Sequence, residues 1–487
     1  MASGKSIDLT QGPIFKKLLT FTFPIWVTGF LQQMYHSADL MVVGKFASDS
    51  SLAAVGATTT VTSLLLNLFI GISIASNILC ARAFGSRDEE QSKKIIHTSL
   101  IFSFSMGVFL SIFGYFFTPP ILRLIQTPEE ILAEAVLYMR IIFLGQPASL
   151  MFTFCAGIFR ARGLSSVPMR ILSATGILNV LLNLLFVIGF HMNAAGVALA
   201  TAIAHYVSIV AAMVIFFHPR GEFRLKLSEF RPDGKSFGEI LRIGIPAGVN
   251  SILFNLSGTI VSAAANGLGK TVVASVSAAN SVTHIVHTVG AAFTSAVVSF
   301  SAQNYGAGKL RRTTKMLAAS LIIVEVVMLI VNTAITFFPQ FFMGFFTNST
   351  LVIETGTSKL LMTAWGYVLY AFSEQLTSGC RALGQSTRPT VINISCICLF
   401  RMAWVWWVFP FLDRGESLSQ SVFALYLCIP LSWALSALGM IVNYHIAKMK
   451  AWREFAAADK LSPEDREYYQ ARLAKKWERR GAASAEK

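Results

Sequence analysis

Apolar runs of about twenty residues or more recur from Leu18 to Ala447, each long enough to cross a hydrocarbon core of about 30 Å as a helix rising about 1.5 Å per residue. With 54% of its 487 residues hydrophobic and only 13% charged, the chain has too little polar surface to solvate a globule. Lipid is therefore part of its solvent, and each run predicts a spanning helix. The spans read as Leu18–Val43, Leu52–Ala81, Ile95–Phe117, Ile131–Phe159, Val167–Phe190, Ala194–Phe217, Ile240–Leu268, Val272–Ala302, Met316–Phe338, Leu351–Cys380, Val391–Phe411 and Val422–Ala447. The expected class is an all-α polytopic membrane protein.

The net charge of +15 does not point to nucleic acid, because the Lys and Arg residues are spread among short loops instead of gathered on one basic face. Counted by side, the loops on the N-terminal side hold most of them, including the Arg82 to Lys94, Arg220 to Arg242 and Lys309 to Lys315 groups. Only Lys45, Arg123, Lys270, Lys359 and Arg414 fall on the other side. By the positive-inside rule both termini are cytoplasmic. The first run lacks a small-residue cleavage site and reads as a retained span, not a signal peptide. The six cysteines lie in apolar segments, where a free thiol behaves as a small hydrophobe.

The long charged loop His218 to Glu239 divides the spans six and six, and the halves resemble each other. Arg160-Ala161-Arg162-Gly163 with Pro168 returns as Arg381-Ala382-Leu383-Gly384 with Pro389, 221 positions later. At the same offset Ala83-Phe84-Gly85 meets Asn304-Tyr305-Gly306, and Pro24 meets Pro246 one residue out of step. An even number of spans separates the copies, so they are parallel repeats about an axis along the membrane normal. An ancestral duplication is the economical explanation. The expected organisation is an N-lobe over 1–218 (spans one to six), a cytoplasmic linker loop over 219–239, a C-lobe over 240–447 (spans seven to twelve) and a polar tail over 448–487. Ser462-Pro463-Glu464-Asp465 reads as a helix start in that tail, which is expected to lie near the anionic leaflet.

Ionisable residues inside spans are expensive and mark candidate function. Asp39 ends an otherwise apolar run, with Tyr35 and His36 four and three residues before it as candidate partner and relay. The competing reading makes Asp39 an interfacial cap beside Lys45. Asn179 and Asn183, four apart, share one face of the fifth span and look into a cavity or bond a neighbouring helix. In the second half Glu374 follows Tyr367 and Tyr370 on a similar face, and it either attracts cationic substrates or pairs with an arginine, for which Arg401 is the candidate. Glu325 is a further intramembrane acid. Pro24 and Pro246 open the first span of each half as candidate hinges, or simply occupy first turns. Phe and Met residues offer an adaptable apolar lining, none assigned to substrate. No phosphate-binding Gly-x-x-x-x-Gly-Lys-Ser/Thr loop is present, so energy is expected from an ion gradient and not from ATP. The histidines lack metal-ligand spacing, and no metal or other cofactor is expected.

Leu9-Thr10-Gln11-Gly12-Pro13-Ile14 leading into Phe23-Pro24-Ile25, then Tyr35, Asp39 and Gly44, Ala53-Ala54-Val55-Gly56, Ala81-Arg82-Ala83-Phe84-Gly85 and the doubled Arg-Ala-x-Gly elements together resemble the multidrug and toxic compound extrusion family. The likeness runs from about Thr10 to His445. It implies twelve transmembrane helices as two pseudo-symmetric six-helix lobes around a central cleft. It also implies that the first-span carboxylate meets the fifth and sixth spans, here Asn179, Asn183 and Thr201. Many relatives carry Asp where this chain has Asn183, which weakens a sodium site more than a proton site. Some relatives place a carboxylate on the seventh span, where this chain has Asn250 and Asn255. The expected function is an antiporter exporting amphipathic, mostly cationic organic compounds against protons, or sodium. It is expected to be monomeric in a bacterial plasma membrane. The rival of related fold is a flippase for lipid-linked oligosaccharide, which needs a strongly cationic cleft. An intramembrane enzyme lacks a nucleophile beside His36 and Asp39.

Overall fold

The computed structural model describes residues 6–219, 221–347, 349–412 and 417–485, and the regular structure among them is helical. The N-lobe holds α1 (Ile14–Phe46), α2 (Asp49–Gly85), α3 (Glu89–Leu124), α4 (Glu129–Leu144), α5 (Gln146–Ala161), α6 (Ser166–Gly189) and α7 (Asn193–Phe217). The C-lobe holds α8 (Gly234–Asn266), α9 (Lys270–Gly306), α10 (Leu310–Phe337), the short α11 (Pro339–Gly344), α12 (Thr350–Ala382), α13 (Thr387–Leu412) and α14 (Leu418–Ala457). Helix α15 (Pro463–Ala485) follows.

Ten of these helices are long and apolar enough to cross a membrane by length and composition. The fourth expected span is the pair α4 and α5, bent by 45° where Gly145 meets Gln146-Pro147, and counting it brings the number to eleven. The tenth expected span, α12, is as long as the others at 33 residues but less apolar, because Lys359, Thr363, Ser373, Gln375 and Thr377 turn into the bundle between α9 and α14. Lys359 is only 1% exposed, which corrects its expected place in an outer loop.

Neither proline sits in a first turn. Pro24 and Pro246 are interior to α1 and α8, where each removes a backbone donor, and the Thr28 hydroxyl donates back to the Pro24 carbonyl at 2.7 Å. The Thr390 hydroxyl donates to the Pro246 carbonyl at 3.0 Å from α13.

The lobes meet at the end of the bundle that carries the N-terminus. A β-carbon at Gly85 would stand 1.9 Å from the Gln303 carbonyl oxygen, and one at Gly306 would stand 2.0 Å from that of Arg82. Gly85 and Gly306 are repeat equivalents, as are Arg82 and Gln303, so the crossing of α2 with α9 lies on the pseudo-two-fold axis. Ser299 donates to Asn77 at 3.1 Å, and Arg82 donates to the Ala382 carbonyl at 2.8 Å, both across the seam. Gly71 and Gly248 bring α2 and α8 into backbone contact just above. The segment 6–13 straps this end. Ile7 donates to the Gly163 carbonyl in the N-lobe, while Asn304, Lys309 and Arg312 of the C-lobe donate to the Leu9, Thr10, Gln11 and Gly12 carbonyls. At the opposite end a β-carbon at Gly56, Gly258 or Gly269 would meet nothing within 4 Å.

The expected helix start at Pro463 is present, its Asp465 amide bonded to the Ser462 hydroxyl at 3.4 Å. Helix α15 docks on the C-lobe: Asp465 accepts from the Arg311 amide at 2.9 Å, and Tyr469 stacks on Trp452 with centroids 5.7 Å apart.

Adding side-chain volume at the α2–α9 crossing costs about 1–3 kcal/mol of overpacking, and about 1.4 kcal/mol is tenfold in an equilibrium. In a Gly306→Val background a Ser299→Cys thiol, buried in the native seam, should therefore react with maleimide about tenfold faster than the same thiol with Gly306 intact.

Candidate functional site

Asp39 lies near the far end of α1 and faces α6 and α7. Its Oδ1 accepts from the Asn183 amide at 2.5 Å, and its Oδ2 accepts from the Thr201 hydroxyl at 3.4 Å. Asn179 donates to the same hydroxyl at 3.2 Å and accepts from Asn183 at 3.4 Å. The four side chains thus close a ring of hydrogen bonds, one acid held by neutral donors. The spacing of four on α6 produces it, since it stacks both amides on one face. Asn179 and Asn183 are 5% and 0% exposed, which removes competition from water. Just beyond Asn183 the helix widens into a π-turn over Leu185–Gly189, a distortion common beside functional residues. The Asn183 carbonyl oxygen is buried without a hydrogen-bond partner.

Among the described residues Asp39 has no ion pair. Its charge can therefore appear and vanish with a proton without stranding a buried cation, which a salt-bridged acid cannot do. The interfacial-cap reading fails, because Lys45 is no partner and the carboxylate turns inward.

Tyr35 and His36 are not brought to Asp39. The Tyr35 hydroxyl donates to the Leu172 carbonyl at 3.1 Å, and its ring fills the hollow at Gly176, where a β-carbon would be 1.7 Å from the ring Cζ. His36 is exposed and makes no hydrogen bond to Asp39. Tyr138 on α4 was missed by sequence reasoning. It packs on the cluster of Val42, Val43, Val55 and Val187 that walls the acid. Nothing in an isolated tyrosine nearly 100 positions away signals that placement.

The C-lobe calls for more correction. Arg401 does not pair with Glu374. Its Nε donates to the Ser432 hydroxyl at 3.0 Å, its Nη1 to that of Ser257 at 3.4 Å, and its guanidinium lies 5.2 Å from the Trp433 ring centroid. Glu374 is half-buried and has no ion pair among the described residues. Tyr370 bonds His287 at 3.0 Å, and Tyr367 packs against Trp433 at 5.2 Å between centroids. Asn255 is exposed and donates to the Ser251 carbonyl of its own helix at 2.9 Å, while Asn250 is half-buried on the same helix. Both oxygens of Glu325 are buried without a hydrogen-bond partner. A cavity of about 750 Å³ lies elsewhere, at the sealed end, lined by Ile7, Asp8, Phe84, Arg87, Glu222 and Arg224.

Duplicated helical lobes, sealed at one end and carrying ionisable groups within an apolar shell, define a multi-pass membrane transporter. The MatE family model matches the chain twice, over residues 24–185 and 246–407, and the chain belongs to that family. It is 27% identical over 79% of its length to the probable multidrug resistance protein YoeA of Bacillus subtilis, covering 84% of that protein. It is 23% identical over 79% of its length to the multidrug export protein MepA of Staphylococcus aureus, covering 85% of it. Among solved structures it superposes with a TM-score of 0.83 on an outward-facing multidrug resistance MATE family transporter, at 21% identity, covering 93% of this chain and 99% of that one. It superposes at 0.82 on a MATE in the bent conformation, at 20% identity, covering 92% and 98%.

Because Tyr35 reaches Leu172 and not Asp39, Tyr35→Phe removes one hydrogen bond of about 1 kcal/mol. Ion-driven transport by that variant should stay within about fivefold of the unaltered protein in a vesicle uptake assay, where a proton relay through Tyr35 would lose it altogether.

Proposed function

We propose that this protein is a secondary multidrug antiporter that exports amphipathic organic compounds, mostly cations, in exchange for protons that bind at Asp39. The observation that carries the reading is the Asp39 carboxylate held inside the N-lobe by neutral donors alone. The two groups bonded to it, the Asn183 amide and the Thr201 hydroxyl, present hydrogens to it. That arrangement suits an anion that takes up a proton, whereas sodium asks for converging oxygens. Sodium is the alternative ion.

The lysines and arginines concentrate on the side of the sealed seam, which supports a cytoplasmic seal, cytoplasmic termini and a cleft open to the outside of a bacterial plasma membrane. A proton entering from outside neutralises Asp39 and changes which packing of α1 is preferred. We place the hinge of α1 at Pro24, which has no backbone donor and whose carbonyl accepts from the Thr28 hydroxyl. Solved relatives in bent and straight conformations support the existence of two such packings in that fold. The lipid-linked oligosaccharide flippase requires many cations facing one cleft, and the acid ring of the N-lobe opposes it.

The test is uptake of a fluorescent cationic dye into inverted vesicles, driven separately by a proton and by a sodium gradient. Proton-driven uptake should be lost in Asp39→Asn, which keeps the side-chain shape and removes the ionisable group. Full uptake by that variant rejects the assignment, and uptake driven by sodium alone transfers the coupling to that ion.

A further inference from the structure

Helix α15 changes character along its length. Its first two turns hold the acids Glu464, Asp465 and Glu467 beside one base, Arg466. Residues 470–480 hold five bases, Arg472, Lys475, Lys476, Arg479 and Arg480, against one acid, Glu478. Tyr469, Leu473 and Trp477 recur at every fourth position, so an apolar and aromatic stripe runs between the bases. The helix dipole does not account for the basic run, because its effect is confined to the last turn and that turn holds no base.

The first half of α15 is fixed to the C-lobe. Asp465 accepts from the Arg311 amide at 2.9 Å at the start of α10, and the Ser462 amide donates to the Gly308 carbonyl at 3.1 Å. The Arg311 guanidinium lies 4.4 Å from the Tyr468 ring centroid. From there the helix runs back along α14 toward the membrane. Tyr469 stacks on Trp452, and one turn later Arg472 brings its charge to bear on Lys448, one turn of α14 nearer the apolar run that ends at Ala447. A helix continuing in that direction delivers residues 475–480 to the level of the headgroups.

Two observations say what waits there. Lys448 and Arg472 are like charges drawn together, and neither has an ion pair among the described residues. Such a pair is repulsive until an anion joins it. Leu473 is 40% exposed, so the apolar stripe leaves the protein surface at that turn.

We propose that the second half of α15, with Lys448 of α14, is a docking surface for the phosphate headgroups of anionic lipids in the cytoplasmic leaflet. A headgroup phosphate joins Lys448 to Arg472, the stripe enters the headgroup boundary, and the remaining bases lie over the anionic surface. The surface is independent of what the protein exports and takes from the reading above only the cytoplasmic side of the tail.

The test is amide hydrogen exchange on the full-length protein in nanodiscs of phosphatidylcholine alone and of phosphatidylcholine mixed with phosphatidylglycerol. Exchange over 470–485 should be about tenfold slower in the mixed discs, while 463–469, tied to α10 and α14 in either lipid, should not differ. Molar salt, which shortens the screening length to about 3 Å, should remove the protection. Lys448→Gln with Arg472→Gln should remove most of it, and Lys475→Glu with Lys476→Glu all of it. Equal exchange in the two lipids, or protection that molar salt leaves intact, overturns the surface. So does inorganic phosphate giving the same protection in detergent, which assigns the pair to a free anion. Should the variants fail to fold, the lipid and salt comparisons on the unaltered protein decide alone. Exchange at the tail is read without transport, so failure of the antiporter leaves this result standing, and failure here leaves the antiporter.

Discussion

The backbone contact between α2 and α9 at Gly85 and Gly306 is the constraint on which the rest of the structure depends. Each glycine lies against the carbonyl of the other helix, and each is the repeat copy of the other, so the two lobes are pinned at a point on their shared axis. Any side chain there would drive the helices apart. With the pin in place, Asn77 and Ser299, Arg82 and Ala382, and the N-terminal strap add polar bonds around it. Without it those bonds would span too wide a gap.

From that pin the cleft follows. Helices joined at one end and free at the other leave a wedge between the lobes. The ring of Asp39, Asn179, Asn183 and Thr201 belongs wholly to one lobe, so it can change protonation without touching the seam directly. Its route to the seam is α1, whose own lower half packs among Phe293, Ala296 and Phe300 of the C-lobe. Helix α1 is thus shared between the two halves, with Pro24 in its length.

Much of this was legible in the sequence. Every expected span matches a helix or a bent pair of helices, three of them running one or two residues past the helix end, because lipid leaves the backbone no other way to satisfy its polar groups. The bonding of Asp39 to Asn183 and Thr201, with Asn179 behind them, was legible through the spacing on α6 and the family likeness. What escaped were contacts between distant segments that no spacing encodes. Tyr35 shares a helical face with Asp39, yet its ring is claimed by a hollow that exists only because residue 176 is glycine. Arg401 and Glu374 looked like a pair because charges inside a membrane usually find each other. Serines and an aromatic ring hold the arginine instead, and Lys359, counted by charge with the outer side, lies inside the expected tenth span, where the packing of α12 on α9 and α14 buries it.

Repeat-related positions share one depth when the repeat axis runs along the membrane normal. Asp39 has no acidic counterpart at its own depth in the other lobe, since its repeat position falls at Ile260 or Val261, so a proton taken up there changes the charge of one half and leaves the other as it was.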